Sequence, residues 1–227
     1  MTGEDVADAV ASAFAQVCRD AVEARGRFSC AVPGGSVAER VFPRLARLDL
    51  PWPNVDVFWV DERFVPEHDP ESNLGLARRL WLDRLPAPGP RPHGMTARGQ
   101  SAEAAAVEYE RDLLKTVGRP PGVDVAILGV GPDGHVASLF PDHPAVRLAH
   151  RVVAVVADAP KPPPVRLTLT VPALAAAGEI WVVAFGAGKA GAIRAARTDP
   201  TSRLPVAIVA RSGPQVRWFL DAAAEGS

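Results

Sequence analysis

Residues 123–141 read VDVAILGVGPDGHVASLFP. Apart from Asp124, the first six are apolar without a break, as in a strand of a parallel sheet covered on both faces. Three glycines and a proline follow at once, and the chain then delivers His135. A strand that ends in a glycine-shaped turn bearing a histidine predicts an α/β protein with its chemistry at the carboxyl edge of the sheet.

Working outward, the same pattern repeats. FSCAV (28–32) and VDVFWV (55–60) lie upstream. VVAVVA (152–157), VRLTLTV (165–171), IWVVAF (180–185) and VAIVA (206–210) lie downstream, and all read as strands. Between them, residues 4–25 place apolar side chains every three or four positions, with Thr2 or Gly3 to cap a helix and Gly26 to end it. Helices are also expected over 36–48, 73–85, 101–117 with Ser101 as cap, about 189–197, and in PQVRWFLDAAA (214–224). The proline- and glycine-dense stretch 86–99 reads as a surface connector, not a domain boundary, because the alternation resumes beyond it. The expectation is one α/β domain over 1–227, Rossmann-like and doubly wound, with a mostly parallel sheet and helices on both faces.

Bulk properties narrow the function. The net charge of −1 over 227 residues argues against nonspecific binding to nucleic acid or to an acidic membrane surface. No apolar run reaches the length of a membrane span, and the N-terminus MTGEDVADAV lacks a secretory apolar core. Two cysteines, Cys18 and Cys30, form no C-x-x-C pair, so neither a zinc site nor a disulfide scaffold is expected. His135, His143 and His150 are spaced unlike the close pairs of zinc motifs, and His68 and His93 read as solvated loop residues. A cytoplasmic protein without a metal is expected.

Four strand-end turns can carry chemistry. Gly34-Gly35-Ser36 offers backbone amides, a hydroxyl and a helix N-terminus to an anion; its plainer reading is a tight turn with a capping serine. Asp61-Glu62-Arg63 puts charge directly after an apolar strand. There Arg63 can fork onto a phosphate and Asp61 can hold a sugar hydroxyl, while Ser72 or Asn73 can cap the next helix. The third turn aims His135 as a general base, with Asp133 two residues earlier to fix its tautomer. The fourth, KPPPVR (161–166), stiffens a loop that carries Lys161 and Arg166, and Lys189 follows Gly186-Ala187-Gly188 at a further turn. Gly129-x-Gly131-x-x-Gly134 also matches a dinucleotide fingerprint, but Asp133 would set a negative charge against a pyrophosphate.

Together these turns resemble the 6-phosphogluconolactonase family. The resemblance runs in order through PGGS (33–36), VDERFVPEHDPESN (60–73), DVAILGVGPDGHVASLFP (124–141), PKPPPVRLTLT (160–170) and AFGAGK (184–189). The glucosamine-6-phosphate deaminases share the fold, but their pattern at the third turn, G-x-G-x-N-G-H-I-A-F-N-E-P, differs: Asp133 replaces the Asn and Ser138-Leu139-Phe140-Pro141 replaces F-N-E-P. Val37-Ala38-Glu39 departs from the Thr-Pro that often follows the first turn in the family. The resemblance implies hydrolysis of 6-phosphogluconolactone to 6-phosphogluconate without a cofactor, with a sugar phosphate lactone as the small-molecule partner. It implies His135 as general base and Gly35, Ser36, Arg63, Lys161 and Arg166 as substrate contacts, to which the reading of the turns adds Asp133 beside His135 and Gly34, Asp61 and Lys189 as further contacts. Arg166 or Lys161 would meet the oxyanion. A deaminase and a non-catalytic sugar-phosphate sensor are the alternatives; sensors of this kind carry an attached helix-turn-helix segment, and the net charge here is slightly negative.

Overall fold

The computed structural model describes residues 1–97 and 99–226. The expected connector 86–99 and the expected domain 1–227 each include one residue, 98 and 227, outside that set.

The elements follow in chain order: α1 (Gly3–Arg25), β1 (Phe28–Val32), α2 (Gly35–Leu45), β2 (Val55–Trp59), β3 (Asp61–Arg63), α3 (Asn73–Leu80), β4 (Arg91–His93), α4 (Ala102–Val117) and β5 (Val125–Gly129). Then come β6 (Val153–Val156), β7 (Arg166–Leu169), α5 (Val171–Ala175), β8 (Glu179–Ala184), α6 (Ala190–Thr198), α7 (Pro205–Ser212), β9 (Val216–Leu220) and α8 (Ala222–Glu225). Six strands form a parallel sheet in the order β4-β2-β1-β5-β8-β9. The order runs outward in both directions from β1 and β5, so the crevice between their carboxyl ends is the switch point where α/β sheets place ligands. A second sheet, β3-β7-β6, is antiparallel.

Alternation along the strands fills two cores. Phe28, Cys30 and Val32 of β1 join Val57 and Trp59, Ile127 and Trp181 on the face covered by α1, α2 and α3. Ala31, Phe58, Ala126, Leu128 and Val182 point the other way, into a core shared with α4, the small sheet and α5 to α7. Local signals set the ends. Thr2 caps α1 in a reciprocal box with Asp5, and Gly26 closes it in the left-handed conformation at φ 72. Ser72 and Ser101 cap α3 and α4 by accepting from the amides of Gly75 and Ala104. No helix among the described residues is long and apolar enough to cross a membrane.

Several expectations are corrected. VAIVA (206–210) is helix α7, not a strand: Pro205 starts it at the first turn, where its missing N–H costs nothing, and a short apolar run carries no period of its own. PQVRWFLDAAA (214–224) is not one helix. Val216–Leu220, rich in branched and aromatic residues, forms the outer strand β9, and only Ala222–Glu225 is helical. Asp61–Arg63, expected as a turn, pairs with β7 as a strand of the second sheet. Within 86–99, Arg91–His93 pairs with β2. His93 is not a solvated loop residue. Its ring stacks on Phe58 with centroids 4.3 Å apart, and its two nitrogens face Asp112 at 2.7 Å and Asp56 at 2.9 Å.

Candidate active site

At the switch point the carboxyl ends of β1, β2, β5 and β8 and the start of β7 open into a cavity of about 310 Å³. Gly34, Gly35, Ser36, Asp61, Arg63, His135, Lys161, Arg166 and Lys189 all line it. Asp133 does not; it stands behind His135.

The β5 loop is built around the imidazole. Gly131 N–H donates to the His135 carbonyl at 2.9 Å, and Gly134 turns back on Gly131 with φ 80. A Cβ on Gly131 would lie 2.0 Å from His135 Nδ1, so only a hydrogen there leaves room for the ring. Asp133 Oδ1 sits 2.5 Å from His135 Nδ1. That contact assigns the proton to Nδ1 and leaves the Nε2 lone pair free. Burial lowers the imidazole below its usual 6.5, with Lys161 adding to the effect and Asp133 opposing it, so the ring is neutral near pH 7. Burial works against the Asp133 charge, but its hydrogen bonds to His135 bring the carboxyl below its ordinary value. Phe140 packs against the ring at 4.9 Å. No helix follows Gly129–Gly134 directly, which removes the dinucleotide reading of that motif.

The β1 turn opens α2, whose first residues, Gly35 and Ser36, line the cavity. Gly35 has φ 60, which an L side chain resists. Gly34 does not need glycine for its backbone, with φ −98; it needs it because Asn73 lies against its Cα. Asn73, which the sequence offers only as a possible cap, is 1% exposed and lines the cavity. Its Nδ2 donates to the Asp61 carbonyl at 2.9 Å. Glu62, also unassigned from sequence, anchors this loop. Its carboxylate accepts from the amides of Arg63 (2.8 Å), Asn73 (2.7 Å) and Leu74 (2.8 Å) and from Ser72 Oγ (3.2 Å). Burial pushes Glu62 up to about 7 against the pull of those donors.

The cations differ in freedom. Arg63 Nη1 donates to the Glu71 carbonyl at 2.7 Å. Arg166, 6% exposed, spends Nε on the Pro163 carbonyl and Nη2 on those of Lys161 and Pro162. It therefore shapes the loop that carries Lys161 as well as facing the cavity. Burial depresses the Lys189 pKa, and the Lys161 charge adds to this. Two ammonium groups that line one cavity and lower each other's affinity for a proton favour a bound anion. Among the described residues no group of three or more His, Cys, Asp or Glu side chains is placed to hold a metal ion.

The model of the family described as glucosamine-6-phosphate isomerases/6-phosphogluconolactonase matches residues 1–218. The chain belongs to this family. Within it, a 6-phosphogluconolactonase of Streptomyces coelicolor is 40% identical, over 97% of this chain and 90% of its own length. A Mycobacterium tuberculosis protein of the same name is 41% identical over 88% of this chain and 85% of its own. The crystal structure of a 6-phosphogluconolactonase from Shewanella baltica superposes with a TM-score of 0.85 at 28% identity, covering 97% of this chain and 95% of the other. The family relationship accounts for the mostly parallel α/β sheet.

Proposed function

We propose that the chain hydrolyses 6-phosphogluconolactone to 6-phosphogluconate. The observation that carries this reading is a neutral imidazole, braced by a carboxylate on its far nitrogen, on the wall of a cavity lined by cations. Nε2 of His135 takes a proton from a water that attacks the lactone carbonyl. The tetrahedral intermediate collapses with cleavage of the ring C–O bond, and the imidazolium returns the proton to the ring oxygen. Arg166, held rigid by three carbonyls, and Lys161 are the cations available to the oxyanion. The amides of Gly35 and Ser36 at the start of α2, with Arg63 and Lys189, suit the phosphate at the other end. Asp61 is the acceptor for a sugar hydroxyl. A δ-lactone is already a reactive ester, so a base and fixed charges suffice and the reading calls for no metal or organic cofactor.

The reading treats 1–227 as one catalytic domain, because β3 and β7 of the small sheet supply walls of the same cavity as the large one. It places the protein in the cytoplasm, where the free, buried Cys18 and Cys30 stay reduced, and gives no role to nucleic acid or membrane. The test is to generate the lactone in situ by oxidation of glucose 6-phosphate and follow its disappearance, with ammonia release from glucosamine 6-phosphate measured in parallel. Accelerated lactone loss without ammonia supports the reading; ammonia release alone transfers the chain to the deaminases. Arg63→Ala should raise KM about tenfold with little change in kcat, because a phosphate is held alike in ground and transition states. An unchanged KM in steady-state assays would remove Arg63 from the substrate site.

A further inference from the structure

Ser138 lies in a run of apolar residues, is fully buried, and belongs to neither sheet. Its hydroxyl donates to Asp61 Oδ2 at 2.6 Å, across 77 residues of sequence. Its amide donates to Thr168 Oγ1 at 3.2 Å, and Thr168 is the β7 residue paired with Asp61. Three residues before Ser138 stands His135, and between them Ala137, with φ 49, takes a left-handed conformation unusual for a residue with a side chain. That turn is what points Ser138 inward while His135 faces the cavity. The deaminase pattern at this loop carries Phe at the position of Ser138 and has no hydroxyl to donate.

We infer that Ser138 is a positioning residue for the lactonase reaction: by holding one oxygen of Asp61, it fixes the other toward the bound sugar and locks the loop of the general base to the strand that orients the substrate. A hydroxyl bonded to an ionised carboxylate is a short, charge-assisted contact, stronger than a neutral pair. With Oδ2 engaged, rotation of the Asp61 carboxylate is restrained, and Asp61 lines the same cavity as Arg63, Lys161 and Arg166. The sugar ring is then set so that its carbonyl faces His135. Ser138 touches no reacting atom; it works through Asp61. This rests on the lactonase reading above.

The test is a double-mutant cycle on the intact chain. Ser138→Ala removes one buried oxygen and should lower kcat about tenfold, with KM for the lactone within about twofold, as expected when orientation rather than affinity is lost. In an Asp61→Ala background, where no side-chain acceptor remains for the Ser138 hydroxyl, the same change should alter kcat by less than about twofold. Ser138→Cys, similar in volume but a weak donor, should behave like Ser138→Ala. Wild-type kinetics in Ser138→Ala, or a full tenfold loss that persists in Asp61→Ala, would overturn the proposal, since packing damage would multiply in both backgrounds. No turnover of lactone by the unmodified protein would overturn the functional reading itself and the role of Ser138 with it.

Discussion

Replacing His135 with Ala is expected to lower turnover of 6-phosphogluconolactone by about 10²–10⁴-fold, the usual contribution of a positioned base. Affinity for 6-phosphogluconate should change little, because the groups proposed to hold the phosphate stay in place. Calorimetric titration of the product against the variant, beside its kcat, separates the two effects. The same residue sets a pH limit. Only the neutral imidazole accepts the proton, and burial lowers its pKa below 6.5, so kcat/KM should hold at neutrality and fall with acid through a midpoint below that value. Glu62 titrates higher, near 7, but lies outside the cavity lining. Glu62→Gln should therefore keep the His135 limb. Turnover in His135→Ala equal to that of the unmodified protein would remove the imidazole from the reaction.

The second large effect is expected at Gly34. A methyl group there would lie 1.8 Å from Asn73 Oδ1 and 2.3 Å from its Cγ. Asn73 cannot swing aside, because its Nδ2 is tied to the Asp61 carbonyl and its amide to Glu62. Overpacking of this kind costs about 1–3 kcal/mol, or a Tm roughly 2–12 °C lower for a chain of this size. The displaced amide also distorts the turn proposed to hold the phosphate, so KM should rise about tenfold or more. Gly35→Ala is the contrast. It meets no atom within 4 Å and pays only for φ 60, about 1–2 kcal/mol. Pairing Gly34→Ala with Asn73→Ala should recover most of the lost Tm. A Gly34→Ala variant with unchanged Tm and KM would mean that the close approach is not a constraint.

Much of this was legible in the chain. The run 123–128 and its glycine turn announced a parallel strand and the position of His135, because burial on both faces and a sharp backbone turn both leave local marks. Helix caps at Thr2, Ser72 and Ser101 left marks of the same kind. The assignments for 206–210 and 216–220 failed for a shared reason. VAIVA and VRWFL are both short apolar runs, and what separates them is Pro205 on one side and the open edge beside β8 on the other. Only the second of these is tertiary, and the sequence does not state it. Asn73 and Ser138 were missed as site residues because each acts through a partner far along the chain, and Glu62 because its partners lie across a loop with no periodic pattern. The one available hint at Ser138 was a hydroxyl set among apolar neighbours.

All six strands of the large sheet point the same way. The two rims of the molecule are therefore expected to differ in what a substitution costs. A saturation library scored separately for catalysis and for cellular abundance should split along that axis. Variants that stay abundant but inactive would gather at the rim bearing residues 34–36, 61–63 and 131–138, while at the opposite rim, around Arg27 and Gly122, activity should track abundance alone.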